Sequence, residues 1–201
     1  MALTIYGSPR SRTMRVLWMA EELGLAFRHV DIAFDDPALK SAWFLAINPA
    51  GAIPAIEDDG VRLAESLAIN LYLAKRYDGL EGGLYPPRPE AEAQAWRWTL
   101  WAQGELEPWV TRDARLAAVR MALAPHAPAM VGRALTYLER ALAERAWLGA
   151  DWFTVADLNV AAVLSPSRTE HLDLAPFANV EAWLARVYAR PAARRVRARF
   201  A

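Results

Sequence analysis

Residue types that can bind and activate a small polar molecule cluster at three places in this chain. In Ser8-Pro9-Arg10-Ser11-Arg12-Thr13, hydroxyls and guanidinium groups sit between a strand-like run and the start of a helical pattern. Backbone N–H groups and the positive end of a helix dipole converge at such a junction, so it favours an anion. A thiol with a pKa of roughly 8.5 needs only one or two charge-assisted hydrogen bonds, about 1.5–3 kcal/mol each, to become largely thiolate near neutrality. A Ser or Thr hydroxyl at that place supplies one. The plainer alternative is that Ser11 or Thr13 simply caps the helix.

In Asn48-Pro49-Ala50-Gly51-Ala52-Ile53-Pro54, proline and glycine force a turn that places Ile53 immediately before Pro54. A residue before proline is held extended, and with a cis bond its N–H and C=O are free to pair with another peptide's backbone. A structural turn with a trans bond is the alternative. Glu65-Ser66 stands ahead of apolar Leu67, Leu71 and Ala74; a serine at a helix start offers donors to a carboxylate, and the glutamate accepts from an ammonium group. Together the two suit an amino-acid zwitterion, although both are ordinary residues at a helix start. Thr154 and Asp157 have capping-box spacing, and Phe153 and Leu158 staple spacing, which is an architectural signal.

The elements needed to hold these groups can be read from periodicity. Leu3 to Tyr6 is a strand, Thr13 to Leu23 a helix closed by Gly24, Phe27 to Ile32 a second strand, and Ala38 to Ala46 a short helix. Ala55 to Glu57 and Val61 to Leu63 flank Asp58-Asp59-Gly60, a hairpin signal, and a helix follows from Leu67 to Tyr77. The order βαβαββα occupies residues 1–78, Gly82-Gly83 and Pro86-Pro87-Arg88-Pro89 make 79–89 a linker, and 90–201 is helix-forming almost throughout. The fold class expected is α/β plus all-α.

Composition narrows the function. At 201 residues and 55% apolar the chain can bury a sizeable core, and 23 basic residues balance 23 acidic ones, so no net field draws it to nucleic acid or a membrane surface. Cysteine is absent, which excludes disulfides, cysteine metal sites and a protein thiol nucleophile; any sulfur chemistry needs an imported thiol. His29, His126 and His171 have no metal-ligand spacing, so no metal is expected. Met1 through Tyr6 is too short a run for a signal peptide and no long apolar segment follows, which reads as a cytoplasmic protein.

Among nine tryptophans, Trp96, Trp98, Trp101, Trp147, Trp152 and Trp183 read as core. Trp101, Glu105, Trp109 and Arg112 recur at spacings of four, four and three and can form one pocket-lining helix face. Arg190, Arg194, Arg195, Arg197 and Arg199 suit the C-terminal end of a last helix and a solvated surface.

Arg15-Val16-Leu17-Trp18 with Glu21-Glu22-Leu23-Gly24, then Asn48-Pro49-x-Gly51-x-x-Pro54, Glu65-Ser66 and Thr154-x-x-Asp157, form a combination that resembles the cytosolic glutathione transferases over essentially the whole chain. The resemblance implies a thioredoxin-like N-terminal domain, an all-helical domain forming the second-substrate pocket, and glutathione as co-substrate. It implies a cis Ile53-Pro54 bond, cysteinyl backbone pairing at Ile53, a γ-glutamyl group held by Glu65 and Ser66, and Lys40 reaching the glycyl carboxylate. It further implies a homodimer and a role in detoxification. In serine- and cysteine-type members the activating residue usually lies six positions before the one matching Val16, which here is Arg10. A shift of one residue makes Ser11 the thiolate's partner, and a longer one Ser8; Ser11 is preferred, with Arg10 assisting.

The loop lacks the Ser-Ser-Cys run of zeta-type isomerases, and the absence of cysteine disfavours omega- and beta-type thiol chemistry. The expected function is activation of glutathione's thiol for attack on a small apolar electrophile or hydroperoxide, with Trp101, Trp109 and Phe34 on the acceptor side. The competing reading is a non-catalytic glutathione-binding or protein-interaction module, which the altered loop keeps open.

Overall fold

The computed structural model describes residues 3–110 and 125–200. The chain divides into two units, Met1–Tyr85 with Ala189–Ala201 and Pro86–Tyr188.

The first unit is built on a four-stranded sheet of order β2-β1-β3-β4, from β1 (Leu3–Tyr6), β2 (Phe27–Val30), β3 (Ala55–Asp58) and β4 (Val61–Ala64). β1 and β2 are parallel, while β1–β3 and β3–β4 are antiparallel. The β3–β4 turn is Asp59-Gly60, with φ of 46° and 89°, the left-handed pair that a two-residue hairpin loop needs. Side chains alternate across the sheet, so the register sets Tyr6 opposite Ala55 on one face and Ile5 opposite Ile56 on the other. Tyr6 and Ala55 join Ile32, Leu39, Phe44 and Ile47 in one apolar cluster.

α1 (Thr13–Glu22) and α3 (Ser66–Asp78) pack together. The buried side chains of α1 run without a break from Arg15 to Ala20, because neighbours cover it on more than one side. One of these is α10 (Pro191–Phe200), which belongs with the first unit and not with the helical domain expected over 90–201. The arginines in it and just before it are not merely solvated. Arg190 pairs with Glu22 at 2.9 Å, and Arg195 and Arg199 pair with Glu21 at 3.3 and 3.5 Å.

The expected helix from Ala38 to Ala46 is two pieces, a 3-10 turn (Pro37–Lys40) and α2 (Ala42–Leu45). Ser41 is extended between them and its hydroxyl accepts from the Phe44 N–H, so it ends one piece and caps the next.

The second unit is helical in all its described elements: α4 (Pro89–Trp101), a π-turn (Ala102–Leu106), α5 (Glu107–Val110), α6 (Ala127–Ala143), α7 (Val155–Val163), α8 (Pro166–Thr169) and α9 (Ala178–Tyr188). Every residue of α7 is buried. The Thr154–Asp157 capping box is present at its start, and Asp157 also accepts from the Leu148 N–H at 2.9 Å and the Trp183 Nε1–H at 3.0 Å. Trp98 and Trp183 are fully buried as expected of core residues, but Trp96 is 52% exposed, and Trp101, Trp147 and Trp152 are half-buried.

Candidate active site

The site forms around the first turn of α1. Gly7 leaves β1 with φ of +128°, and a Cβ there would lie 2.3 Å from Thr13 Oγ1 and 2.8 Å from Ile53 Cβ. Only a glycine lets the strand end, the helix start and the pre-proline turn approach so closely. The Ile53–Pro54 peptide is cis, as the resemblance implied.

Within the loop, the Ser11 hydroxyl donates to the Ser8 carbonyl at 2.7 Å and accepts from the Thr13 N–H at 3.1 Å. Its oxygen is also 2.9 Å from the fully buried Thr13 hydroxyl. With the Ser11 proton committed to a carbonyl, the Thr13 hydroxyl is the donor of that pair. Ser11 therefore satisfies the first amide of α1, the part the plainer alternative gave it, from one residue ahead of the N-cap, Arg12, whose side chain makes no cap. The same bond also orients its hydroxyl. If that proton turns to a bound thiolate, the Ser8 carbonyl keeps the Ser11 N–H as a partner at 3.0 Å. Arg10 is exposed and Ser8 half-exposed beside it.

Tyr6 is not a competing activator. Its hydroxyl donates to Glu57 at 2.5 Å, and burial, followed by that hydrogen bond, pushes the phenol above its ordinary pKa. The same hydrogen bond is the main cause holding the Glu57 carboxyl below the usual range, with Arg62 adding to it.

At the start of α3, Glu65 is exposed and holds φ of +69°, a left-handed conformation costly for a side-chain-bearing residue. Ser66 is buried, and its hydroxyl accepts from Arg15 Nη1 at 3.3 Å. Arg15 is itself only 4% exposed, so a guanidinium and a helix N-terminus lie together beneath the Glu65-Ser66 dipeptide. The residues alone gave Arg15 no role; a cation directly ahead of the apolar Val16-to-Ala20 stretch was the available signal.

Lys40 ends the 3-10 turn and donates from Nζ to the Gly51 carbonyl at 3.3 Å, two residues from Ile53. Gly51 has φ of +58°, and a Cβ there would fall 2.7 Å from that Nζ. Ser8, Arg10, Ser11, Lys40, Ile53, Pro54, Glu65 and Ser66 all belong to the first unit. Phe34, 53% exposed, does too. In the second unit, Trp101 packs on Trp98 and Tyr137 with ring centroids 5.2 and 5.7 Å away. Exposed Glu105 pairs with Arg133 at 3.2 Å, and Trp109 is half-buried. Arg112 lies outside the described residues. No cluster of three or more His, Asp and Glu suited to a metal occurs among the described residues.

The family described as glutathione S-transferase, N-terminal domain, matches residues 1–75, and its C-terminal domain matches residues 110–191. The glutathione S-transferase PARB of Nicotiana tabacum is 32% identical, with 96% of this chain and 95% of the relative covered. Glutathione S-transferase 3 of Zea mays is 34% identical over 94% of this chain and 90% of its own. Among solved structures, the theta class glutathione S-transferase of Xanthomonas axonopodis pv. citri with glutathione bound superposes with a TM-score of 0.79 at 28% identity, covering 96% of this chain and 95% of that one. The chain belongs to the glutathione S-transferase family. It is a glutathione-conjugating enzyme with a thioredoxin-like N-terminal domain, and the relatives give no support to the non-catalytic alternative.

Proposed function

We propose that glutathione lies across the first unit with its sulfur at the Ser11 hydroxyl, its cysteinyl backbone on Ile53 ahead of Pro54, its γ-glutamyl group on Glu65 and Ser66, and its glycyl carboxylate toward Lys40. The observation that carries this reading is the meeting of three distant segments at α1: Gly7 is wedged between Thr13 and Ile53, and Arg15 reaches Ser66. A tripeptide with a zwitterionic end, a thiol and a terminal carboxylate asks for such an arrangement.

In this reading Ser11 donates to the thiolate, while Arg10 adds positive potential and Ser8 holds the turn. The thiol proton goes to water, sulfur attacks the electrophilic atom, and the leaving group departs with its electron pair. The acceptor is a small apolar electrophile or a hydroperoxide, met by Trp101, Glu105, Trp109, Arg112 and Phe34. The protein works in the cytoplasm as a homodimer in detoxification. Among the described residues no helix is long and apolar enough to cross a membrane. Exposed Trp96 and Leu100, one helical turn apart on α4, favour association with a second copy.

The test is calorimetric binding of glutathione with spectrophotometric titration of the bound thiol, in wild type and Ser11→Ala. The expected result is a bound-thiol pKa well below roughly 8.5 that rises on mutation. No binding at millimolar glutathione would overturn the assignment of these residues.

A further inference from the structure

We infer that His29 is a positioning residue of the thiol-activating loop, and that Phe200, at the far end of the chain, holds the His29 ring in place. This rests on the proposed role of the Ser8–Thr13 loop.

His29 Nε2 is 2.8 Å from the Gly7 carbonyl oxygen, which can only accept, so Nε2 carries the proton and donates. The next residue of β2, Val30, accepts from the Gly7 N–H at 2.9 Å. Both polar backbone groups of Gly7 are thus tied to one strand. A glycine at φ of +128° otherwise has wide freedom to turn. The His29 bond fixes the plane of the Gly7–Ser8 peptide and with it the direction of the Ser8 backbone. The Ser8 carbonyl is the acceptor for both the Ser11 N–H at 3.0 Å and the Ser11 hydroxyl at 2.7 Å. His29 therefore acts on the activating hydroxyl through one peptide and one carbonyl.

The ring is set in turn by α10. The Phe200 ring stands edge-to-face on His29, with centroids 5.3 Å apart and planes at 84°. Arg199 lies over the Phe200 ring at 4.9 Å and pairs with Glu21 of α1, anchoring the last turn of α10 to the helix that begins at the loop. The C-terminal helix thereby reaches the site through an aromatic contact and one hydrogen bond.

The experiment compares His29→Leu, His29→Gln and Phe200→Ala with wild type and Ser11→Ala, reading the bound-thiol pKa, and kcat and KM for glutathione with a chlorodinitrobenzene as the electrophile. His29→Leu is expected to raise the thiol pKa and lower kcat about tenfold, with the glutathione KM changed less than about twofold, since orientation and not binding is lost. His29→Gln, whose amide can donate to the same carbonyl, restores most of the activity. Phe200→Ala shifts both readouts in the same direction by less. If His29→Leu misfolds, Phe200→Ala decides the matter by the same criteria. Unchanged thiol pKa and kcat in His29→Leu and Phe200→Ala, while Ser11→Ala moves both, overturns the positioning role alone. If Ser11→Ala moves neither, the loop's role falls and this inference with it.

Discussion

The Thr13 hydroxyl sits 2.9 Å from the Ser11 hydroxyl, fully buried, and donates to it. Ser11 thus accepts from both the amide and the side chain of Thr13 and gives its one proton to the Ser8 carbonyl. Replacing Thr13 by Val keeps the shape and removes the donor. The Ser11 oxygen then gains freedom to rotate, and the expected result is a bound-thiol pKa higher than wild type by less than the Ser11→Ala change. The stability loss is about 1 kcal/mol, the usual value for one hydrogen bond. Denaturant unfolding and thiol titration on the same variant check both halves.

Ser11→Ala removes the acceptor of the Thr13 N–H at the start of α1 as well as the proposed thiolate donor. It is expected to lower stability by about 1 kcal/mol even with no glutathione present. An activity loss with unaltered unfolding midpoint would show that this bond contributes nothing here.

Arg15 supplies a buried positive charge to the Ser66 hydroxyl and the first turn of α3. Arg15→Leu takes away the charge, and Arg15→Lys keeps the charge but loses the planar fork. Glutathione affinity is expected to fall about tenfold or more for Arg15→Leu and less for Arg15→Lys, because a carboxylate bound at the helix start loses its counter-charge. Calorimetry with glutathione and with a glutathione analogue lacking the γ-glutamyl carboxylate distinguishes this from general damage: the analogue should bind both variants and wild type alike.

The fold was largely legible because its signals are local. Asp58-Asp59-Gly60 dictates a hairpin, Gly24 with φ of +62° stops α1, and Thr154 with Asp157 starts α7. What the residues alone did not reveal depends on contacts between distant segments. Ser41 divides a helix because it can cap, a choice that periodicity does not record. Arg190, Arg195 and Arg199 read as surface charge because their partners Glu21 and Glu22 stand about 170 residues earlier in the chain. The spacing of His29 points to no metal and to no other role, because its partner is a backbone carbonyl, which no side-chain motif encodes. Trp96 failed as a core residue because an apolar type does not say which side of a helix faces inward.

The Tyr6–Glu57 pair predicts a measurable titration. The Tyr6 hydrogen bond is the main cause of the low Glu57 pKa, so Tyr6→Phe should let that carboxyl rise toward its ordinary value, seen by NMR titration of the Glu57 carboxyl carbon. A depressed carboxylate contributes stability above its unfolded pKa and loses it as pH falls through the folded value. The destabilisation by Tyr6→Phe should therefore be about 1–2 kcal/mol near pH 7 and shrink toward pH 3. A cost that stays constant with pH would mean that only packing was lost.

Asp157 has the opposite sign. Burial pushes its carboxyl up to about 6, against the Leu148 and Thr154 amides, the Trp183 indole and the Thr154 hydroxyl, all of which favour the charged form. Between the ordinary aspartate pKa near 3.8 and the folded value near 6, the native state holds a proton that the unfolded chain has released. Stability from this group is complete below the lower value and is lost as pH rises through the higher one, on the order of 3 kcal/mol for a shift of about two units. Asp157→Asn cannot titrate. The difference in unfolding free energy between wild type and Asp157→Asn should therefore move against the wild type as pH is raised from about 4 to about 7. A difference that moves toward the wild type over that range would show that the four donors outweigh burial and keep the carboxylate charged.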